Sequence, residues 1–408
     1  MELMNDVLKE KPVVLQQYKQ ELHEELFQIL EYWMKYTVDG QNGGFYGSVN
    51  NENVAETNAP KGIVLMSRIC WSFSAAYRYS KQPQYYEMAD RAFQYIFSHF
   101  IDHEHGGVFW SVDAKGKMHE GKKQTYGLAF CIYGLTEFYK ISNNKTALNT
   151  AIDLYHYIEK KSFDIERNGY IEAFARDWQQ MNDLRLSAKD NNDRKTANTH
   201  LHIIEAYGSL YSVWPKRDVK ERIENLLQLF DEHFINKEHH HLNLFFDDEW
   251  NLRSTLQSYG HDIEAAWLLL QCAETIQHKE YIELYQQLSM PVTNAASEGL
   301  DHDGGLWYEY EPDNDQLIKE KHSWPQAEAM VGFYNAYQIS GDQQYFLQSV
   351  QSWEFIKAYI KDKTNGEWFW GVNNSYSPMQ KDKAGFWKCP YHSSRALLEV
   401  MKRINNSI

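Results

Sequence analysis

A glycine followed by aromatic residues returns along this chain at nearly constant intervals. The motif reads Gly43-Gly44-Phe45-Tyr46, Gly106-Gly107-Val108-Phe109-Trp110, Asn168-Gly169-Tyr170, Gly304-Gly305-Leu306-Trp307-Tyr308 and Gly366-Glu367-Trp368-Phe369-Trp370. Neighbouring copies lie 63, 63 and 62 residues apart, and Leu242-Asn243-Leu244-Phe245-Phe246 fills the one vacant place without its glycine. Six such units cannot each close a core alone. Stacked neighbours must bury one another's faces, so the period dictates the architecture.

Within a unit the hydrophobic spacing changes in a fixed order. An amphipathic helix precedes the glycine, as over residues 85–100 and 345–360. A short aromatic strand follows and turns at polar residues such as Asp113-Ala114-Lys115-Gly116 or Asp313-Asn314-Asp315. A second, more apolar helix is expected over 64–79, 126–139, 199–213, 261–275, 325–339 and 390–404. Alternation of a less and a more buried helix, six times over, predicts an all-α fold. It is an (α/α)6 barrel whose inner ring is the more apolar set, with short β-hairpins in the loops at one mouth. With nine prolines and no Pro/Gly/Ser-rich linker, residues 1–408 read as a single barrel domain.

Composition narrows the partners. The formal net charge of −15 repels phosphate backbones, so nucleic acid and anionic membranes are not expected. No basic segment leads into an apolar stretch, and no apolar run approaches the roughly 18 residues of a membrane span. Cys70, Cys131, Cys272 and Cys389 form no C-x-x-C pair, which reads as reduced thiols and a cytoplasmic setting. No apolar surface helix is left over, so a monomer is expected. The 28 Tyr, 20 Phe and 13 Trp suit both a helical core and stacking on sugar rings.

In such a barrel the inner helices run parallel, and their N-terminal ends share one mouth. Their first turns supply Arg68, Tyr126, Asn198 with His202, His261 with Glu264, Trp324, and Trp387 with His392. His261 and Glu264 are roughly 60° apart on a helix, so both can face the lumen. His200 and His202 are roughly 200° apart, and Asn198 sits about 40° from His202, which favours His202 as the inward ring. Pro325 and Pro390 suit the first helical position. Each residue has a structural alternative: a capped helix start for His261 and Glu264, a paired buried cation for Arg68, core aromatics for the tryptophans. Their recurrence in one phase favours a site.

Competing chemistries leave weaker traces. His239-His240-His241 is a consecutive run that converges poorly on one metal ion and reads as a polar loop. No G-x-S-x-G, P-loop or G-x-G-x-x-G motif is present. Glycoside hydrolysis needs two opposed carboxylates, for which Glu264, Asp190, Glu309 and Glu328 are available. Two histidines facing an arginine suit proton abstraction beside a carbonyl, followed by reprotonation.

Four segments then carry a resemblance: Asn198-Thr199-His200-Leu201-His202-Ile203-Ile204-Glu205-Ala206-Tyr207, Gly260-His261-Asp262-Ile263-Glu264-Ala265-Ala266-Trp267, Trp324-Pro325-Gln326-Ala327-Glu328 and Phe386-Trp387-Lys388-Cys389-Pro390-Tyr391-His392. They resemble, in order, the motifs of cellobiose 2-epimerases within the N-acylglucosamine 2-epimerase superfamily, which is built on the (α/α)6 barrel. The resemblance implies isomerase activity at C2 of the reducing sugar of β-linked disaccharides, such as cellobiose, lactose and mannobiose. It implies His261 and His392 as the acid/base pair through a cis-enediolate, Arg68 at the O1/O2 oxygens, and His202, Tyr126 and Glu264 in support. Trp387 and Asp190 match positions that hold the sugar, and Trp324 and Trp307 match stacking aromatics. No metal or organic cofactor is implied. An N-acylglucosamine 2-epimerase or an aldose–ketose isomerase is the near alternative. Glu264 beside His261 predicts an imidazolium there, and the helix dipole predicts a neutral His392 that starts as base on the gluco epimer.

Overall fold

The computed structural model describes residues 11–407. Among them twelve helices alternate in two classes. The outer ones are α1 (Lys11–Tyr36), α3 (Pro83–His99), α5 (Lys145–Tyr157), α7 (Arg217–Leu229), α9 (Lys279–Ser297) and α11 (Gln343–Phe355). The inner ones are α2 (Ile63–Ser80), α4 (Thr125–Ser142), α6 (Ala197–Tyr211), α8 (Tyr259–Thr275), α10 (Ser323–Ser340) and α12 (Tyr391–Ser407). Each inner helix packs on its two inner neighbours, and α12 returns to α2 to close the ring. The outer helices back this ring, with α1 set against α12.

Burial explains the two classes. Helix α7 buries only Val219, Ile223, Leu226, Leu227 and Leu229, one stripe of a 3.6-residue period. Helix α4 is buried almost continuously from Thr125 to Phe138, because outer helices cover its back and the barrel centre its front. Three outer helices end in a π-turn, at Ile158–Ser162, Phe230–Phe234 and Ile356–Ile360. The amphipathic pattern over 345–360 therefore covers α11 and its π-turn together. After these turns the chain enters the glycine motif. Gly106 holds φ +76° there, and a Cβ on it would stand 2.0 Å from Tyr157 Cζ, so only glycine closes that turn.

Short hairpins stand at the mouth, Ser111–Val112 with Met118–Glu120 and Glu309–Glu311 with Gln316–Ile318, and short strands also join successive repeats. The residues leading into an inner helix pair antiparallel with the aromatic strand of the next unit, in the register Lys61↔Val112, Lys123↔Phe174, Lys195↔Phe246, Gln257↔Tyr310 and Lys321↔Val372. A bridge between Val49 and Ala384 links the last unit to the first. These crosslinks ring one end of the barrel.

A buried ion pair marks five of the six units. Lys61, Lys123, Lys195, Lys321 and Lys383 meet Asp39, Asp102, Asp164, Asp301 and Asp362, each aspartate also accepting backbone N–H groups at the start of its glycine loop. In the fourth unit both partners are neutral, Asn236 and Gln257. Asn236 keeps the loop-capping role, accepting from Glu238 N–H at 2.9 Å, and its Nδ2 donates to Asn243 Oδ1 at 3.3 Å.

Two local expectations are corrected. His239-His240-His241 is not simply a polar loop: His241 is 1% exposed and its Nδ1 donates to Asp262 Oδ2 at 2.7 Å. The run occupies the glycine-motif place of the fourth unit, where one residue must turn inward. Pro325 is the third residue of α10 and Pro390 immediately precedes α12, so neither holds the first helical position. All four cysteines are free and buried. No helix among the described residues is long and apolar enough to cross a membrane.

Candidate active site

A cavity of about 370 Å³ opens at the mouth where the inner helices begin. Its wall includes Arg68, Tyr126, Asp190, Asn198, His202, His261, Glu264, Trp324, Trp387 and His392. The repeat explains the convergence. Seven residues after Lys61, Lys123, Lys195, Gln257 and Lys321 stand Arg68, Phe130, His202, Glu264 and Glu328. One helical position, taken from five successive inner helices, thus supplies Arg68, His202 and Glu264 to the cavity wall, with Phe130 packed against Arg68 and Glu328 bonded to His392.

Three of the four histidines on this wall have Nδ1 engaged by the protein, whereas His322 is bonded through Nε2 to Glu320 Oε2 at 2.8 Å. His202 Nδ1 donates to Glu205 Oε2 at 3.0 Å, and His392 Nδ1 to Glu328 Oε1 at 2.7 Å. His261 Nδ1 meets Ser258 Oγ at 2.8 Å. A carboxylate only accepts, so His202 and His392 each carry a proton on Nδ1, with Nε2 left for other partners. A hydroxyl can donate or accept, so His261 is free to carry a proton on Nε2. Trp324 lies beside both outer members, its ring centroid 4.9 Å from His261 and 5.5 Å from His392.

Beneath the histidines Arg395 gathers three glutamates. It bonds Glu205 and Glu264, donates to Glu328 Oε1 at 2.6 Å, and bonds Tyr391 Oη. Burial alone would raise Glu205, but the Arg395 charge and the His202 contacts hold it down at about 2. Burial raises Glu328 in spite of Arg395. Ligand atoms of Glu264, Glu328 and His392 lie within 4.8 Å of one another, in a cluster such as a cation could join. The positive charge bridging the two carboxylates is already the Arg395 guanidinium. These residues do not fit a resident metal.

Arg68 differs from every other buried cation described. Lys61, Lys123, Lys195, Lys321, Lys383, Lys388 and Arg395 all have carboxylate partners, whereas Arg68, 3% exposed, has none. It donates to Tyr126 Oη at 2.7 Å and lies 4.1 Å over the Phe130 ring. Its Nε has no partner, nor do Asn198 Oδ1 and Trp370 Nε1, all three on cavity residues. A buried guanidinium stacked on rings and short of an anion is a receptor for oxyanion charge.

Burial also sets the protonation of the acid/base candidates. His261 is pushed down to about 4, chiefly by desolvation, with Glu264 opposing and His202 adding to the fall. This corrects the expectation of an imidazolium at His261: Glu264 is already bonded to Arg395, and its field does not outweigh burial. His392 is held well below the ordinary histidine value, again by burial first. The neutral His392 is therefore found, but for a different reason than the helix dipole.

Residues 175–194 form a long loop in the third unit, and 184–191 line the cavity from above. Asp190 sits there, its Oδ2 accepting from Ser187 N–H at 2.8 Å and Ser187 Oγ at 2.9 Å. Leu184 N–H donates to Asn192 Oδ1, and Lys122 Nζ donates to Arg185 O, which fixes the loop over the mouth. Beside it, burial raises Glu309 to about 7 and Glu172 to about 8.

Trp307 does not line the cavity. It packs against the separate cluster of Tyr259, Ile263, Leu306 and Phe333, with Lys319 Nζ 5.7 Å from its ring. Tyr308, the next residue on the strand, faces inward and stacks on His322 at 3.8 Å. Alternation along a strand puts one of the two in the wall, and the sequence does not say which. Glu205 and Arg395 were not among the sequence candidates, although both stand three residues beyond a candidate histidine. Trp370 lies within a motif already noted.

The double ring and the histidine–arginine cavity define an (α/α)6-barrel enzyme of the isomerase class. The family model of N-acylglucosamine 2-epimerase (GlcNAc 2-epimerase) matches residues 43–396. The chain belongs to that family. It is 44% identical over 385 residues to a cellobiose 2-epimerase of Bacteroides fragilis, covering 94% of this chain and 98% of the relative. The solved structure of cellobiose 2-epimerase from Bacillus thermoamylovorans aligns with a TM-score of 0.90 at 37% identity, covering 96% of this chain and all of that one. That from Spirochaeta thermophila aligns at 0.91 and 36%, covering 97% and 98%. A family 76 α-mannanase from Bacteroides thetaiotaomicron shares the fold at a TM-score of 0.67 and 10% identity.

Proposed function

We propose that this enzyme inverts C2 of the reducing-end sugar of β-1,4-linked disaccharides, taking cellobiose to glucosyl-mannose and lactose to epilactose, with mannobiose as a further substrate. The observation that carries the reading is the trio of Nδ1-anchored histidines around an arginine without a carboxylate partner. Relatives named cellobiose 2-epimerase at 34–44% identity support the disaccharide class.

In this reading the sugar ring opens and C2 lies between His261 and His392, beside Trp324. His392 begins as base on the gluco epimer, because its Nε2 is left for the substrate and Glu328 stabilises the imidazolium formed. The Arg68 guanidinium and Tyr126 Oη meet the charge that develops on O1 and O2 of the cis-enediolate. Rotation about C2–C3 turns the other face to His261, which takes a proton from solvent and delivers it to C2, while His392 releases to solvent the proton it removed, so both rings end the cycle neutral.

The Glu264–Glu328 pair does not suit hydrolysis. Glu264 and Glu328 both bond Arg395, so they stand on one side and do not oppose each other across a glycosidic bond. Asp190, the loop 184–191, Tyr308 and Trp370 extend the wall beyond the histidines and suit a second sugar ring.

Incubation with cellobiose in D2O, followed by NMR, tests the reading. Deuterium at C2 with a mannose-type reducing end is expected. Free glucose without C2 exchange points to hydrolysis. Exchange with N-acetylglucosamine, or a ketose product, moves the assignment to the near alternatives of the same superfamily.

A further inference from the structure

The six glycine loops differ at one place. The residue after the loop's first left-handed position is Gly44, Gly107, Gly169 and Gly305 in four units, but His241 in the fourth and Glu367 in the sixth. Those two units carry the inner helices α8 and α12, which hold His261 and His392. In both, the side chain replacing glycine is buried and ion-paired with a residue near the histidine. His241 Nδ1 donates to Asp262 Oδ2 at 2.7 Å, and Asp262 adjoins His261. Lys388 Nζ donates to Glu367 Oε1 at 2.7 Å, and Lys388 adjoins Trp387 in the segment leading to His392. The two pairs bridge the same separation, 21 residues.

Packing does not demand these side chains. Glu367 holds φ +60°, where a glycine is free of strain, and four sister loops close the same turn with glycine. What sets the sixth unit apart is its helix start. Five inner helices begin two residues after the strand residues Lys61, Lys123, Lys195, Gln257 and Lys321, whereas α12 begins eight after Lys383. The inserted segment, residues 385–390, brings Trp387 and Cys389 to the cavity and needs its own anchor. Glu367 provides it, and its Oε2 also accepts from Trp33 Nε1 at 2.7 Å, tying the segment to α1. In the fourth unit, which lacks the Lys–Asp pair of the others, Asp262 takes His241 on one oxygen and Leu242 N–H at 2.7 Å on the other.

We infer that His241–Asp262 and Glu367–Lys388 are positioning pairs. Each fixes the start of one histidine-bearing segment, and together they set the placement of His261 and His392 about the carbon between them. The inference rests on the two-histidine reading. Misplacement of a reacting group by about 1 Å costs on the order of 100-fold in rate, whereas sugar contacts elsewhere in the cavity are left alone.

The test compares Glu367→Gly/Lys388→Met with the wild-type enzyme on cellobiose, reading kcat, KM and melting temperature. Glycine suits the turn, and methionine leaves no unpaired ammonium. A fall in kcat of about 30-fold or more is expected, with KM within about threefold and the melting temperature equal or higher. For the other pair, His241→Gln can still donate to Asp262 and is expected to stay within a few-fold of wild type, while His241→Gly falls with the first variant. Wild-type kcat in the double variant overturns the proposal. So does a kcat loss that tracks a drop in melting temperature, or equal rates for His241→Gly and His241→Gln. Absence of C2 exchange in the wild-type enzyme strikes the two-histidine reading itself, before any variant is compared.

Discussion

His392 Nδ1 and Glu328 Oε1 lie 2.7 Å apart, and the same oxygen accepts from Arg395 at 2.6 Å, while Glu328 Oε2 accepts from Trp267 Nε1 at 3.2 Å. The carboxylate is held from three sides, so it can fix one tautomer of His392 without being free to rotate. Replacing it with an amide of the same shape removes the charge that supports the imidazolium. Glu328→Gln is expected to lower kcat roughly 100- to 1000-fold, with the fold retained. The rate of C2 deuterium incorporation measures this, and a loss below about threefold refutes the role.

Arg68 and Tyr126 make the complementary prediction. A lysine at 68 keeps the charge but loses the planar fork and the stacking on Phe130, so Arg68→Lys should lose about 100-fold or more in kcat. A disaccharide whose reducing end is oxidised to a carboxylate resembles the enediolate in charge. Cellobionate is accordingly expected to inhibit more strongly than the neutral alditol, and Arg68→Met should abolish the difference. Equal inhibition constants in the wild-type enzyme would refute it.

Acid should destabilise the barrel through its buried neutral histidines. Burial pushes His200 from 6.5 down to about 3 and His261 down to about 4. Between those values and 6.5 the unfolded chain binds more protons than the folded one. Stability is therefore full above pH 6.5 and falls as the pH drops, by about 1.4 kcal/mol per pH unit for each such ring. His200 Nε2 accepts from Tyr170 N–H at 2.9 Å, a bond that protonation breaks. Melting curves from pH 7 to 4 should show a shallower decline for His200→Gln; an unchanged slope counts against the assignment.

The Lys–Asp pairs yield a prediction about stability alone. Lys61 and Asp39 are 1% and 0% exposed, with Nζ–Oδ2 at 2.8 Å. Lys61→Met strands the Asp39 carboxylate and should cost about 3–5 kcal/mol in urea unfolding. Replacing both partners with apolar residues should cost much less, because no buried charge is left alone. If the single and double variants are equally destabilised, the charge is not the cause.

The repeat of about 63 residues was enough to determine the barrel. Hydrophobic period is a local property, and a unit that cannot bury its own face dictates that neighbours must. Helix phase is also local, so Arg68, His202, His261 and Glu264 could be placed in the first turns of the inner helices before any coordinate was known. The tertiary structure decided everything that depends on a partner from another unit. Glu328 and His392 meet across 64 residues, and Glu205 and Arg395 across 190. The anchoring of His392 by Glu328, the lone charge of Arg68 and the exchange of Trp307 for Tyr308 in the wall all follow from such contacts. Ion pairing and strand facing are set by geometry between distant segments, and burial then shifts the protonation of whatever is left inside.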